Sequence, residues 1–310
     1  MNTAYITHPD CLKHKMTEGH PEEPRRLLAI QDHLHQQHLW DFLEHYEAKD
    51  VDRFALSRVH SQQLIDNIFE HAPQPGQKIY HIDPDTFMNE FTLSAALKAA
   101  GAGIEAVDLV MQNKVKNAFC AVRPPGHHAE RNASMGFCFF NNIAVATAYL
   151  LEQYQLERVA IIDFDVHHGN GTENIFDQDP RVLICSSYQH PFYPFSGAKT
   201  LPGHLINTPL KAGTSGADFR LAVEQQWLTE LESFKPQFIF ISAGFDADWQ
   251  DDMSNLQFNE TDYRWVTQAI VKIAKKYADN RIVSMLEGGY SLDALARDVE
   301  QHLRVLMGLD

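Results

Sequence analysis

Val159-Ala160-Ile161-Ile162-Asp163-Phe164-Asp165-Val166-His167-His168-Gly169-Asn170-Gly171 starts as an apolar, β-branched run of strand length and ends in a dense cluster of acids and imidazoles. Such a run reads as a strand covered on both faces, the kind found in parallel sheets packed between helices. Three further stretches repeat the form. Residues 118–122 lead into Pro124-Pro125-Gly126-His127-His128, 238–242 into Ala243-Gly244-Phe245-Asp246, and 282–286 into Glu287-Gly288-Gly289-Tyr290. A fifth apolar run covers 182–185, and helical spacing fills 95–110, 142–151, 219–231 and 261–277, the last behind an Asn259-Glu260-Thr261-Asp262 start signal. This alternation predicts an α/β fold with a mostly parallel central sheet and helices on both faces. Ligand sites of such sheets form beyond the carboxyl ends of the strands, so the four polar clusters are expected to meet in one crevice.

Nothing divides the chain in two. The Pro/Gly-rich stretch at 72–76 is short, no low-complexity tract or repeat is present, and 310 residues suffice for one domain spanning 1–310. The N-terminal residues lack the basic and apolar regions of a secretory signal, and no apolar stretch is long enough to cross a bilayer, which predicts a soluble, cytoplasmic protein. Four cysteines without CxxC spacing fit a reducing compartment and argue against a thiolate metal site. A formal net charge of −15 argues against nucleic acid as partner and favours approach of cations. His33, His35, His38 and His45 fall in one polar, helix-like stretch and read as a solvated face.

If the 159 strand runs on to its end, Asp163, Asp165 and His167 project to one face. Two carboxylates and an imidazole on a buried strand require a cation or strong donors, and the segment holds no Lys or Arg. Asp246, from another strand end, supplies a third ligand and leaves an open position for catalysis by a divalent ion. Adjacent imidazoles cannot easily both bind one ion, so His127 and His128 suit acid/base work, with acceptors such as Asp163 and Asn170 setting their tautomers. Tyr290, behind two glycines, can bring a hydroxyl to a developing oxyanion. A structural ion network, ordinary loop histidines and a buried structural tyrosine are the alternatives for each feature alone.

Together these motifs resemble the zinc-dependent deacetylases: histone deacetylase-like amidohydrolases, acetylpolyamine amidohydrolases and acetoin-utilisation proteins, which share the arginase-deacetylase fold. The resemblance runs from Gly19-His20-Pro21-Glu22-Glu23-Pro24-Arg25-Arg26-Leu27 through Arg123-Pro-Pro-Gly-His-His128 and Gly136-Phe137-Cys138-Phe139-Phe140-Asn141-Asn142 to Glu287-Gly-Gly-Tyr290. It is closest to the class II branch, because Asn170 stands where the class I pattern carries Asp. The resemblance implies one Zn²⁺ held by Asp165, His167 and Asp246, with His128 as general base oriented by Asn170. It implies that His127, paired with Asp163, acts electrostatically, and that Tyr290 polarises the acyl carbonyl. It further implies an acyl-lysine channel walled by Phe137 and Tyr193, with the Gly136 carbonyl receiving the amide N–H. Arg26 corresponds to an arginine beside an internal cavity through which acetate leaves, and a structural K⁺ is implied near Asp163, Asp165, His167 and Ser186.

The expected reaction is metal-assisted hydrolysis of an acetyl- or short acyl-lysine side chain in a protein or peptide, with Asp83, Asp85, Asp251 and Asp252 as an acidic rim for basic flanks. An acetylated polyamine is the alternative substrate. Some relatives with that preference carry a glutamate in the loop after the Asp ligand, where this chain reads Asp251-Asp252-Met253-Ser254-Asn255. An arginase-like binuclear hydrolase shares the fold, and Asp246-Ala247-Asp248 superficially fits its second carboxylate pair, but Gly169 stands where that pattern needs another Asp. A non-catalytic acyl-lysine binding module is disfavoured by intact His128 and Tyr290. Oligomerisation is compatible with the sequence.

Overall fold

In the computed structural model, which describes residues 2–197 and 199–309, the strands are β1 (Thr3–Thr7), β2 (Glu44–Glu47), β3 (Tyr80–His81), β4 (Phe87–Met88), β5 (Asn117–Cys120), β6 (Val159–Asp163), β7 (Val182–Gln189), β8 (Leu205–Leu210), β9 (Phe238–Ala243) and β10 (Ile282–Leu286). Eight of them form one sheet in the order β2-β1-β5-β10-β9-β6-β7-β8, with every neighbouring pair parallel. β3 and β4 form a separate antiparallel pair. The apolar runs explain the arrangement: all residues of β5, β6, β7, β9 and β10 are buried, as strands covered on both faces must be. At the sheet's two edges the pattern changes. β2 alternates partly buried and exposed residues, and β8 carries the exposed Pro209.

The helices are α1 (Arg25–Gln36), α2 (Arg53–Ser57), α3 (Gln62–Glu70), α4 (Thr92–Met111), α5 (Asn142–Gln153), α6 (Asn170–Phe176), α7 (Gly216–Ala222), α8 (Leu228–Phe234), α9 (Glu260–Tyr277) and α10 (Leu292–Met307). α4 packs on α5 and on strands β1, β5 and β10, while α10 packs between α1 and α9. The start signal before α9 is a full capping box, in which the Asn259 side chain accepts from Thr261 and Asp262 Oδ2 accepts from the Asn259 N–H at 3.0 Å. The helical spacing of 219–231 belongs to a longer helix, α7 to α8, interrupted by one π-helical turn at Val223–Trp227.

The four N-terminal histidines do not share a helix face. α1 ends at Gln36; His33 pairs with Glu300 of α10 at 2.7 Å, His38 turns the chain at φ 56°, and His45 lies on β2. His35 and His45 both lie against the Trp40 ring, at 4.6 and 4.2 Å between centroids.

Two buried histidines join elements of the core. His302 of α10 bridges Thr267 of α9 at 2.8 Å and Ser284 of β10 at 2.9 Å. Because the Thr267 hydroxyl donates to the Tyr263 carbonyl, His302 Nδ1 is the donor to Thr267, and in a neutral ring Nε2 then accepts from Ser284. His60 Nε2 likewise accepts the Asn141 N–H at 2.9 Å, leaving Nδ1 to donate to the Glu130 carbonyl.

Candidate active site

The sheet delivers β5, β6, β9 and β10 side by side, and the polar segments that follow them meet at its carboxyl edge. β6 ends at Asp163, so the alternation expected over 159–167 does not continue as a strand. The chain instead turns on its own carboxylates: Asp163 Oδ1 accepts the Asp165 N–H at 3.1 Å, and Asp165 Oδ1 accepts the His167 N–H at 2.9 Å. These turns bring His167 Nδ1 to 3.1 Å from Asp165 Oδ1 and 3.2 Å from Asp246 Oδ2. Ligand atoms of Asp165, His167 and Asp246 all lie within 4.8 Å of one another, and all three residues are buried.

This cluster fits a single cation. Asp246 Oδ1 is engaged by the Val166 N–H, whereas Asp246 Oδ2 is buried without a well-aligned hydrogen bond, its nearest polar neighbour being His167 Nδ1 at 3.2 Å. Burial first, and then the nearby Asp165 charge, push the Asp246 carboxyl up to about 6, against the opposing effect of His167. Gly288 makes the cluster possible, since a Cβ there would collide with Asp246 Oδ2 and lie 2.6 Å from Asp165 Oδ2, whereas the glycine N–H donates to Asp165 Oδ2 at 2.8 Å.

His127 and His128 stand beside the cluster with ring centroids 4.1 Å apart. His127 Nδ1 donates to Asp163 Oδ2 at 3.0 Å, whereas His128 Nδ1 faces Asn170 Oδ1 at 2.7 Å. The Asn170 amide is oriented by its own Nδ2, which donates to Glu130 Oε1 at 2.7 Å, so its oxygen is the atom presented to His128. Burial pulls the His127 pKa down, but Asp165 and Asp163 outweigh it and hold the ring well above the ordinary imidazole value. Burial and then the His127 and His167 rings push His128 well below it. The two neighbouring imidazoles are thus pushed in opposite directions.

Above these groups opens a pocket of about 310 Å³. Phe137, Phe192, Tyr193 and Tyr290 wall it, and Asp85, Asp252 and Met253 lie along its lining. Phe192 stacks on His167 at 5.5 Å, and Tyr193 meets His128 edge-on at 5.3 Å. Gly136 has φ 57°, and a Cβ on it would stand 2.6 Å from His128 Cδ2 and 2.9 Å from the Tyr193 hydroxyl. Only glycine leaves the channel open there. Burial, followed by hydrogen bonding to Asp83, raises the Asp85 carboxyl to about 6.

The expected acidic rim is only partly present. Asp83, Asp85 and Asp252 are accessible, but Asp251 is buried and holds backbone: its Oδ2 accepts the N–H of Tyr290 at 2.6 Å and of Ser291 at 3.0 Å. Behind Tyr290, Arg26 lies with its guanidinium carbon 4.9 Å from the ring centroid and donates to the carbonyls of Gly289 at 2.6 Å and Glu287 at 2.5 Å. Arg123 and Arg26 share the fully buried Glu22, whose carboxyl they hold far below the usual range against the cost of burial.

Three features escape a reading by residue type. Glu287 Oε2 accepts the N–H groups of Gly126 and His127, at 2.7 and 3.2 Å, and so sets the histidine loop. Its position just before Gly288-Gly289 was the available signal. Phe192 belongs to the aromatic-proline run Pro191-Phe192-Tyr193-Pro194-Phe195, of which only Tyr193 stands out by resemblance. Asp248 does not approach the Asp165–His167–Asp246 cluster; it gathers with Glu260 and Asp298, so the arginase-like second carboxylate pair is not formed.

Residues 20–306 match the histone deacetylase domain, and the chain belongs to the histone deacetylase family. It is 35% identical over 304 residues to a probable deacetylase of Archaeoglobus fulgidus, covering 94% of this chain and 82% of that one. It is 34% identical to mouse polyamine deacetylase HDAC10, covering 99% of this chain and 48% of that protein. The crystal structure of the HDA15 HD domain superposes with a TM-score of 0.92 at 32% identity, over 99% of this chain and 88% of that one. The fold is therefore the arginase-deacetylase fold, and the chain is a deacetylase-family hydrolase. Among the described residues, no helix is long and apolar enough to cross a membrane.

Proposed function

We propose that this protein is a Zn²⁺-dependent amide hydrolase that removes acetyl or other short acyl groups from lysine side chains of proteins or peptides. The observation that carries this reading is the placement of Asp165, His167 and Asp246, with one carboxylate oxygen lacking a well-aligned hydrogen bond, beneath a pocket lined by His128 and Tyr290. The narrow aromatic channel suits an alkyl stem with its polar end pointing inward. One Zn²⁺ held by these three residues would supply Lewis acidity to the acyl carbonyl and make water acidic near neutral pH.

The remaining work falls to the side chains. His128, with Nδ1 committed to Asn170, has Nε2 free to take the proton of the attacking water and to return one to the departing amine nitrogen. His127, held by Asp163, contributes fixed positive charge beside the reacting centre. The Tyr290 hydroxyl donates to the carbonyl oxygen as negative charge develops there. Phe137 and Tyr193 flank the alkyl stem, and the Gly136 carbonyl accepts the substrate amide N–H. A structural K⁺ beside the Asp163–His167 turn is supported by the Ser186 hydroxyl, which is buried and unpartnered. Four free, buried cysteines support a reducing compartment such as the cytoplasm.

An acetylated polyamine is the second reading, favoured by Asp85 and Asp252 at the pocket and by the similarity to a polyamine deacetylase. Protein stripped with a chelator and reloaded with Zn²⁺ is assayed for acetate release from an acetyl-lysine peptide and from an acetylated polyamine. Faster turnover of the peptide, lost on stripping and restored by Zn²⁺, is the expected result. Faster turnover of the polyamine replaces the substrate assignment, and turnover that survives complete stripping removes the metal from the reaction.

A further inference from the structure

Behind the loop that carries Asp246, the chain buries a second group of carboxylates that the proposed hydrolysis does not use. Residues 247–249 pair with Phe258 as a short parallel bridge, Trp249 N–H donating to the Phe258 carbonyl at 3.0 Å and Phe258 N–H to the Ala247 carbonyl at 3.1 Å. This bridge sets Asp248 beside Glu260 in the first turn of α9, and α10 packs Asp298 against both. Ligand oxygens of the three residues lie within 4.8 Å of one another. Asp248 and Asp298 are fully buried, and Glu260 is partly so.

Their oxygens are not accounted for. Asp248 Oδ1 accepts the Gln250 N–H at 2.8 Å, but Asp248 Oδ2 and both oxygens of Asp298 are buried without a hydrogen-bond partner. Tyr263 adds an independent sign. It lies three residues beyond Glu260 on the same side of α9, is 1% exposed, and its hydroxyl also lacks a partner. Burial first, and then Asp298, drive its pKa well above the phenol range, with Asp246, Asp248 and Asp251 adding to the effect. Arg297 is the nearby cation, and its guanidinium is engaged by Gln250. Buried carboxylates are ordinarily paired, protonated or bound to metal.

We propose that Asp248, Glu260 and Asp298 form a second cation site, separate from the Asp165–His167–Asp246 cluster, that takes a hard divalent ion of the Ca²⁺ type, with the Tyr263 hydroxyl as a neutral oxygen beside it. Oxygen-only donors select hard ions, and a donor set assembled from a loop and two helices suits the adaptable coordination of Ca²⁺ better than the octahedron demanded by Mg²⁺. The ion would tie the loop after Asp246 to α9 and α10.

The test uses zinc-loaded protein, titrated with Ca²⁺ by calorimetry and with Tb³⁺ by luminescence excited in the aromatic band. One additional site per chain, luminescence sensitised by Tyr263, and a thermal midpoint raised by Ca²⁺ are expected. Asp298→Asn should weaken Ca²⁺ binding roughly tenfold or more, in line with loss of one ligand charge, while the zinc content stays at one per chain. If that variant does not fold, the partly exposed Glu260→Gln provides the same reading. Absence of Ca²⁺ and Tb³⁺ binding by the wild type overturns the proposal, as does affinity unchanged in the variants. Asp298→Asn gaining stability with no ion bound would assign the cluster to a shared proton and equally overturn it.

Discussion

The carboxylate of Asp251 accepts the backbone N–H of Tyr290 at 2.6 Å, so a buried acid from the loop after β9 fixes the residue that follows the two glycines after β10. Gly288 and Gly289 leave that segment few conformational restraints of its own. Asp251→Ala is therefore expected to retain zinc yet lower kcat by roughly 10- to 100-fold, because small displacements of a reacting group are costly in rate. Steady-state kinetics with metal analysis on the same sample checks it, and unchanged kcat would show that Tyr290 is held by other contacts.

Tyr290→Phe removes only the hydroxyl and leaves the ring against Arg26 and Phe137. A drop of roughly 10²–10³-fold in kcat with little change in KM is expected of a lost oxyanion donor. A rise in KM alone would recast Tyr290 as a wall of the pocket.

Asn170→Asp places an anion on His128 Nδ1 where a neutral amide now stands. A carboxylate favours the imidazolium, and a general base must be unprotonated, so the acid limb of the kcat/KM profile is expected to move to higher pH. An unshifted limb would mean that another group takes the proton.

His302 and His60 are buried with pKa values pushed down by burial, to about 3 and about 4. Because the unfolded chain takes up these protons near pH 6.5 and the folded chain does not, each lowers stability as pH falls below that value. At pH 5 each contributes a loss of about 2 kcal/mol relative to neutral pH. Chemical denaturation at pH 7 and pH 5 measures the sum, and His302→Gln should flatten its share.

The strands that build the site are legible because most of their residues are apolar and in unbroken runs: 282–286 coincides with β10, and 159–164 with β6 to within one residue. β1, β2 and β8 are not, since Thr3–Thr7 and Leu205–Leu210 mix polar with apolar residues and Glu44–Glu47 has no apolar run. Asp165, His167 and Asp246 were recoverable from residue type and position at strand ends. Their exact approach was not, because it depends on carboxylate-capped turns after Asp163 rather than on strand alternation. By sequence Asp251 reads as a rim charge for a related reason: its hydrogen bonds join residues 39 and 40 positions apart, and sequence shows charge but not where it points.

β8 closes one side of the sheet with the exposed Pro209, and β2 closes the other with the acids Glu44 and Glu47. Proline offers no N–H to an incoming strand, and like charges repel a matching copy. Both flanks therefore resist continuation of the sheet into a neighbouring molecule, which protects this long parallel array from fibre-like growth.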